Sequence, residues 1–276
     1  MLIVTLSSIP PRFSTLGPTL ESLIAQTAKP DRILLYIPRQ YRRFPGWNGN
    51  LPLVPAGVEI KRCDDLGPTT KVLPAAFELG DHDCSLFFCD DDRLYQRDLL
   101  AHFLAAQKQH PDCCIASAGK DAYCISPGSK VRSIEPRPVR RWRSTDLGFQ
   151  VRYLMQDLWA GRARKEFPEP PRKVFKCPGY VDLFEGFGGV LVKPNFFERS
   201  DAEIPPVMWT VDDVWLSGML ARKNIPIWVI AQVMEPQETK SHLAAALHTS
   251  IVDGATQGDA EILTVNYLRK TYGIWL

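Results

Sequence analysis

Ser85-Leu86-Phe87-Phe88-Cys89-Asp90-Asp91-Asp92 decides how this chain is to be understood. It is a short apolar run that stops in three consecutive carboxylates. The run has the length and bulk of a buried strand, and turn-prone Gly80-Asp81-His82-Asp83 precedes it. A helical pattern follows, with Leu99, Leu100, Phe103 and Leu104 on one face. The acids therefore fall at the carboxyl end of a core strand, where open α/β sheets form their ligand crevice. Three adjacent carboxylates repel one another unless a cation neutralises them. Hard cations such as Mg²⁺ take carboxylate oxygens together with substrate phosphates. A solvated acidic turn between strand and helix accounts for the triplet equally well until other parts of the chain are weighed.

Working outward, Leu2 to Leu6 reads as a first strand, stopped by Ser7-Ser8-Ile9-Pro10-Pro11-Arg12. Leu16, Leu20, Leu23 and Ile24 recur at helical spacing and predict a helix over 15–27, ended by Pro30. Ile33 to Ile37 is a second strand, so the opening is a strand–helix–strand crossover, which is right-handed when parallel. Residues 38–57 read as a loop. Val58 to Cys63 is a third strand, also ending in acids, Asp64-Asp65.

Leu66-Gly67-Pro68-Thr69-Thr70-Lys71 leads into a helix carrying Val72, Leu73, Ala76 and Phe77. Lys71 in a first helical turn opposes the helix dipole. That placement fits either a phosphate or carboxylate partner, or a snorkelling surface lysine. A fifth strand is expected near Cys113–Ala118, a helix over 146–161, and a rigid extended connector at Phe167-Pro168-Glu169-Pro170-Pro171. The glycines of Gly186-Phe187-Gly188-Gly189 allow close backbone approach to a ligand, or simply a tight turn. Trp209-Thr210-Val211-Asp212-Asp213-Val214-Trp215-Leu216 starts another helix, in which acids are ordinary capping residues. Ile227 to Ile230 is a late strand, and Thr264 to Tyr272 a closing helix.

Composition narrows the class. With 276 residues, 45% apolar and 23% charged, the chain has room for a substantial core. Lys plus Arg number 33 against 31 Asp plus Glu, so whole-chain charge indicates neither nucleic acid nor membrane. The distribution is less even: Lys130 to Lys176 holds thirteen basic and five acidic residues. That segment could meet an anionic partner or a lipid headgroup as a peripheral membrane contact. Without an RNA or DNA motif, nucleic acid is not expected as a partner. Seven cysteines with no C-x-x-C pair suggest reduced thiols. No apolar run approaches the ~20 residues of a spanning helix, and no basic n-region opens the sequence. A cytoplasmic location is the expectation.

Taken together, these pieces resemble the GT-A class of nucleotide-sugar-dependent glycosyltransferases, in the neighbourhood of family 2. Four features carry the resemblance in order along residues 1–230. They are the opening Thr5 to Phe13 with Ser22-Leu23-Ile24-Ala25-Gln26; Asp64-Asp65; a D-x-D motif at Asp90-Asp91-Asp92; and Asp212-Asp213-Val214-Trp215-Leu216, similar to a late E-D-x-x-L motif. The resemblance implies one mixed, mainly parallel α/β domain flanked by helices. Within it, 1–118 would be the nucleotide-binding half, 119–178 a variable basic insertion and 179–276 the acceptor half.

It also implies roles. The loop from Ser7 to Arg12, and Asp64 or Asp65, would hold base and ribose. Asp90 and Asp92 would bind ribose and a Mn²⁺ or Mg²⁺ ion bridging the diphosphate, with Asp91 beside them in the nucleotide site. Arg12 and Lys71 would assist. Asp213, or Asp212, would be the base that deprotonates the acceptor hydroxyl, with inversion at the anomeric carbon. Gly186 to Gly189 and Trp209 would line the sugar and acceptor pocket. His242 or His248 could add a metal ligand. The donor would be a nucleoside-diphosphate sugar, a UDP-sugar favoured, and the acceptor a glycan or lipid-linked glycan. Asp212 stands where the motif usually has Glu, which leaves the identity of the base open.

Two other enzyme classes fit less well. A phosphohydrolase of the D-x-D-x-[T/V] type lacks its fifth position in Asp90-Asp91-Asp92-Arg93-Leu94, and a nucleotidyltransferase would want a glycine-rich loop where Ser7 to Arg12 has none. A carbohydrate- or nucleotide-binding protein on a decayed transferase scaffold is the non-enzymatic alternative; retention of both acidic clusters speaks against decay.

Overall fold

The computed structural model describes residues 1–128, 134–160, 169–239 and 256–276. An eight-stranded sheet runs through it, built from β1 (Leu2–Ser7), β2 (Arg32–Pro38), β3 (Val58–Cys63), β4 (Ser85–Phe88), β5 (Cys114–Ala116), β6 (Gly179–Val181), β7 (Val190–Val192) and β8 (Ile227–Val229). Their spatial order is β6-β8-β5-β7-β4-β1-β2-β3. Strand β1 is parallel to both β2 and β4, β2 to β3, and β5 to β8. Strand β7 runs antiparallel between β4 and β5, and β6 runs antiparallel along β8. The fold is thus a mixed, mainly parallel α/β sheet flanked by helices, the class expected from the sequence.

Burial explains the strands. The central β1, β2 and β4 are apolar along nearly their whole length because helices cover both of their faces. Edge strand β3 instead carries Glu59, Lys61 and Arg62, charges that blunt an open edge. The two-residue period of a strand splits the core in two. Ile3, Leu34, Leu86 and Phe88 pack on one side with α2 (Leu73–Leu79), α5 (Asp212–Arg222) and α6 (Gln257–Tyr272). Val4, Leu35, Phe87 and Leu191 pack on the other with α1 (Gly17–Ile24) and α3 (Leu99–Gln109).

Three expectations about helices change. A 3-10 turn over Pro10–Thr15 precedes α1, which begins only at Gly17-Pro18, where a proline is tolerated. Lys71 belongs to a second 3-10 turn, Gly67–Lys71, rather than to the helix after it. Pro74 sets that boundary: lacking an N–H, it is accommodated in the first turn of α2. The closing helix α6 starts at Gln257, seven residues earlier than its apolar spacing suggests. Thr256 and Asp259 form a reciprocal capping box there, and Gly273 ends the helix at φ 65°.

Within the basic segment, Val139–Arg140 pairs with Phe175–Cys177, and α4 (Leu147–Ala160) lies between them in sequence. The proline-rich connector falls partly outside the described residues. All seven cysteines are free, five of them buried. No helix among the described residues is long and apolar enough to cross a membrane.

Candidate functional site

Strands β1 and β4 are parallel neighbours, so Ser7-Ser8 and the Asp triplet emerge side by side at one edge of the sheet. A crevice of about 360 Å³ opens there, within the ~300–1,000 Å³ usual for small-molecule sites. The loop after β3, the 3-10 turn holding Lys71, and the start of α5 complete its walls.

The three acids of the triplet have different surroundings. Asp91 is 4% exposed and serves the architecture: it accepts from Ser8 Oγ at 2.5 Å and Arg12 Nη1 at 2.6 Å, while Thr19 Oγ1 donates to its carbonyl at 3.0 Å. It thereby ties the end of β4 to the loop after β1 and the first turns of α1. Asp92 lies between Arg12, 3.1 Å away, and Arg93 Nε at 3.5 Å. Its Oδ1 is buried and has no hydrogen bond. Burial, then the negative charges of Asp90 and Asp91, push its carboxyl up to about 6. Asp90 goes the other way. Burial works against its charge, but Lys71 Nζ at 2.7 Å outweighs it and holds the carboxyl below the ordinary range.

Lys71 is the hinge of the electrostatics. It is 6% exposed, and its ammonium also stands 2.8 Å from Asp212 and 3.9 Å from Asp213. Burial disfavours its charge, yet Asp212, Asp90 and Asp213 together keep it firmly protonated. The partner that its sequence position suggested is therefore a set of carboxylates.

Asp212 and Asp213 open α5 and differ in use. Asp213 Oδ2 accepts from the Gly186 N–H at 2.9 Å, which fixes its orientation. Its Oδ1 is buried without a hydrogen bond. Burial first, and the Asp212 charge second, raise its carboxyl well above the ordinary value. Gly186 is required by proximity: a Cβ there would lie 2.7 Å from Asp213 Oδ1 and 2.8 Å from Lys71 Nζ.

Several expected site residues lie elsewhere. Asp64 points into solvent, its side chain 92% exposed beside Arg39, and does not line the crevice; Asp65 does. The chain turns between them because Asp65 accepts from its own Gly67 N–H and from Arg42 N–H, at 2.9 and 2.7 Å. Gly188 and Gly189 are also outside the crevice. They serve core packing: a Cβ on Gly188 would meet Ser117 Oγ, and one on Gly189, at φ +88°, would enter the Phe87 ring. Trp209 does line the crevice, with Gly67 against its ring and the Arg42 guanidinium 5.2 Å from the ring centre. Ser7 and Arg12 line it too. His242 and His248 lie outside the described residues.

Within the loop expected at the nucleotide, and beyond it, further residues line the crevice. Ser8 holds Asp91, and Tyr41 donates to the Ser8 carbonyl at 2.7 Å from within the long loop. Arg93 reaches Glu238 at 2.9 Å as Arg93–Leu94 pairs with Gln237–Glu238. Arg93 was legible as the residue directly after the triplet; its partner 145 residues away was not.

Among the described residues, no three His, Cys, Asp or Glu side chains gather to hold a metal ion. The donors still fit a different arrangement. Asp92, with a buried oxygen that no hydrogen bond satisfies, suits a hard cation held by one or two carboxylates and completed by substrate phosphates. Asp90 could join it only by sharing its charge with Lys71.

No protein-family model and no curated protein matches the chain. Among solved structures it is similar to S. aureus TarS 1–349 in complex with UDP, with a TM-score of 0.43 and 9% identity over 86% of this chain and 59% of that one. It is also similar to S. aureus TarS 1–349, with a TM-score of 0.45 and 12% identity over 98% of this chain and 73% of that one. The chain thus spans 59% of the first of these structures.

Proposed function

We propose that this chain is a GT-A-type glycosyltransferase that moves a sugar from a nucleoside-diphosphate sugar, in particular a UDP-sugar, to an acceptor hydroxyl with inversion. One observation carries the reading. Two buried carboxylate oxygens without hydrogen bonds, Asp92 Oδ1 and Asp213 Oδ1, reach one crevice from distant parts of the chain, while a third there, Asp212 Oδ2, faces the Lys71 ammonium at 2.8 Å. Folded proteins seldom leave buried acceptors unsatisfied without a ligand or a reaction to explain them. Here Asp92 would face a cation and Asp213 an acceptor proton.

Charge supports a cation. The crevice is lined by Asp65, Asp90, Asp91, Asp92, Asp212, Asp213 and Glu238 against Arg12, Arg43, Lys71 and Arg93, seven acids to four bases. A diphosphate entering such a site adds to an existing negative excess, which a divalent ion would reduce. Asp92, with Asp90, would hold Mn²⁺ or Mg²⁺. When bound, the ion would supply Lewis-acid neutralisation of the leaving diphosphate.

The remaining work falls to side chains of the chain itself. Ser7, Asp65 and Arg43 would border the nucleoside, and Arg12 would keep Asp91 and Asp92 in register. Asp213 would take the proton of the acceptor hydroxyl on Oδ1. The freed oxygen would attack the anomeric carbon as the bond to the diphosphate oxygen breaks, which inverts that centre. A raised carboxyl pKa suits the task, since a base works best with its pKa near the operating pH. Asp212, 2.8 Å from the Lys71 ammonium, would hold that cation in place.

Thermal melting tests the nucleotide site directly. UDP with Mn²⁺ should raise the melting temperature well beyond either alone, corresponding to about 2.7 kcal/mol at a hundredfold excess over Kd. No shift with any nucleoside diphosphate and either cation would remove the donor site.

Asp92→Asn gives a second, less usual expectation. An Asp whose folded pKa is raised contributes most stability below its ordinary pKa of 3.8 and loses it as pH rises to about 6. Asn carries no such cost. At pH 7 the variant should therefore be more stable than the parent by up to about 3 kcal/mol, less whatever Arg12 and Arg93 lose. The gap should close below pH 4, and the cation-dependent shift should largely disappear. A variant that melts lower at pH 7 would show that Arg12 already neutralises Asp92.

A further inference from the structure

Helix α4 carries apolar side chains on two opposite sides. Phe149, 4% exposed, faces the protein body, with Tyr153 and Gln156 half-buried beside it. At spacings of four, seven, eight and eleven residues from Leu147 stand Val151, Leu154, Met155 and Leu158. These define the stripe opposite Phe149. All five are 57–78% exposed, as is Trp159 at its margin. Six such side chains form a continuous patch at or above the ~300–600 Å² that is the largest on an ordinary monomer.

We propose that this face is a membrane-surface anchor, in which α4 lies along an anionic lipid bilayer with its outer stripe in the acyl–headgroup boundary. Charge identifies the occupant. The segment from Lys130 to Lys176 has thirteen basic and five acidic residues, and Arg140, Arg143, Arg152, Lys173 and Lys176 within it are exposed. An apolar helical stripe within a basic segment, with a tryptophan at its edge, is the make-up of helices that lie in the interface. A second copy is disfavoured by the same charge, because two-fold pairing would set one basic excess against the other. The patch is also the outside of a single helix, a convex ridge, which a fluid surface accommodates without a matching groove. The inference is independent of whether the crevice transfers sugar.

Vesicle flotation of the full chain tests it. The protein should float with phosphatidylcholine vesicles containing phosphatidylglycerol, about tenfold or more less with phosphatidylcholine alone, and progressively less as salt rises. Leu154→Glu with Leu158→Glu, both at exposed positions, should keep the parent melting temperature and lose binding at least about tenfold. Lys173→Glu with Lys176→Glu should lose the preference for anionic vesicles. Trp159 should contribute a blue shift of emission on binding that Trp159→Phe lacks. Failure of the parent to float with either vesicle, or flotation unchanged in the leucine variant, overturns the proposal. So does a lipid-free dimer, seen by light scattering, that the leucine variant dissociates while the parent ignores vesicles; that outcome assigns the face to a second copy.

Discussion

Asp213→Asn is expected to lower turnover by roughly 10²–10⁴-fold, the usual share of general-base catalysis, while affinity for the nucleoside diphosphate stays close to that of the parent. The separation follows from position. Asp213 opens α5 and is oriented through Oδ2 by the Gly186 N–H, leaving Oδ1 without a hydrogen bond. A carboxylate that only capped the helix would be replaced by Asn at little cost. The pH profile adds a check with a fixed sign. Asp213 has its carboxyl raised by burial and by Asp212, and it acts as a base only when ionised. Activity should therefore fall as pH drops through that raised value and persist above it, and the acid limb should be missing from the Asn variant. Asp212→Asn is the parallel measurement: a larger loss there than at Asp213 would exchange their roles. Steady-state rates, or slow donor hydrolysis, decide between them.

Lys71→Met is expected to destabilise the fold by about 3–5 kcal/mol, as breaking a buried ion pair by removing one partner commonly does. The ammonium is buried and within 4 Å of Asp90, Asp212 and Asp213, so its removal leaves three carboxylates facing one another. Urea denaturation of parent and variant measures the loss, and Asp212→Asn added to Lys71→Met should recover part of it. A loss under about 1 kcal/mol would mean that solvent, rather than Lys71, neutralises the acids.

Much of this was legible in the sequence because it depends on short-range pattern. Continuous apolar runs gave the buried strands, and their acidic ends located Asp90 to Asp92 and Asp65. Lys71 read as opposing a helix dipole, which left a buried anionic partner and a snorkelling surface lysine both open. Its 3-10 turn and three carboxylate neighbours decided between them. Long-range geometry decided the rest. Nothing local says that β7 enters antiparallel between β4 and β5. Nor does it say that Gly188 and Gly189 are small for the sake of Ser117 and Phe87 rather than a ligand. The choice of Asp65 over Asp64 turned on an Asp-x-Gly turn whose signature was present at Asp65-Leu66-Gly67. Helix α4 was predicted, but apolar residues on both its sides hid which of them faces outward.

The insertion of β7 beside β4 also bears on how the chain is made. Phe88 of β4 pairs with Val190, about a hundred residues later, so the strand bearing the acids has a bare flank until that segment emerges from the ribosome. At ~5–20 residues per second this interval lasts about 5–20 s. During it Leu86, Phe87 and Phe88 offer unpaired backbone and apolar side chains along one side of a growing sheet. An exposed strand edge of that kind invites pairing with another chain. Synthesis that stalls between residues 90 and 190 would leave a nascent product prone to aggregate, and the yield of folded protein should depend on how quickly that stretch is translated.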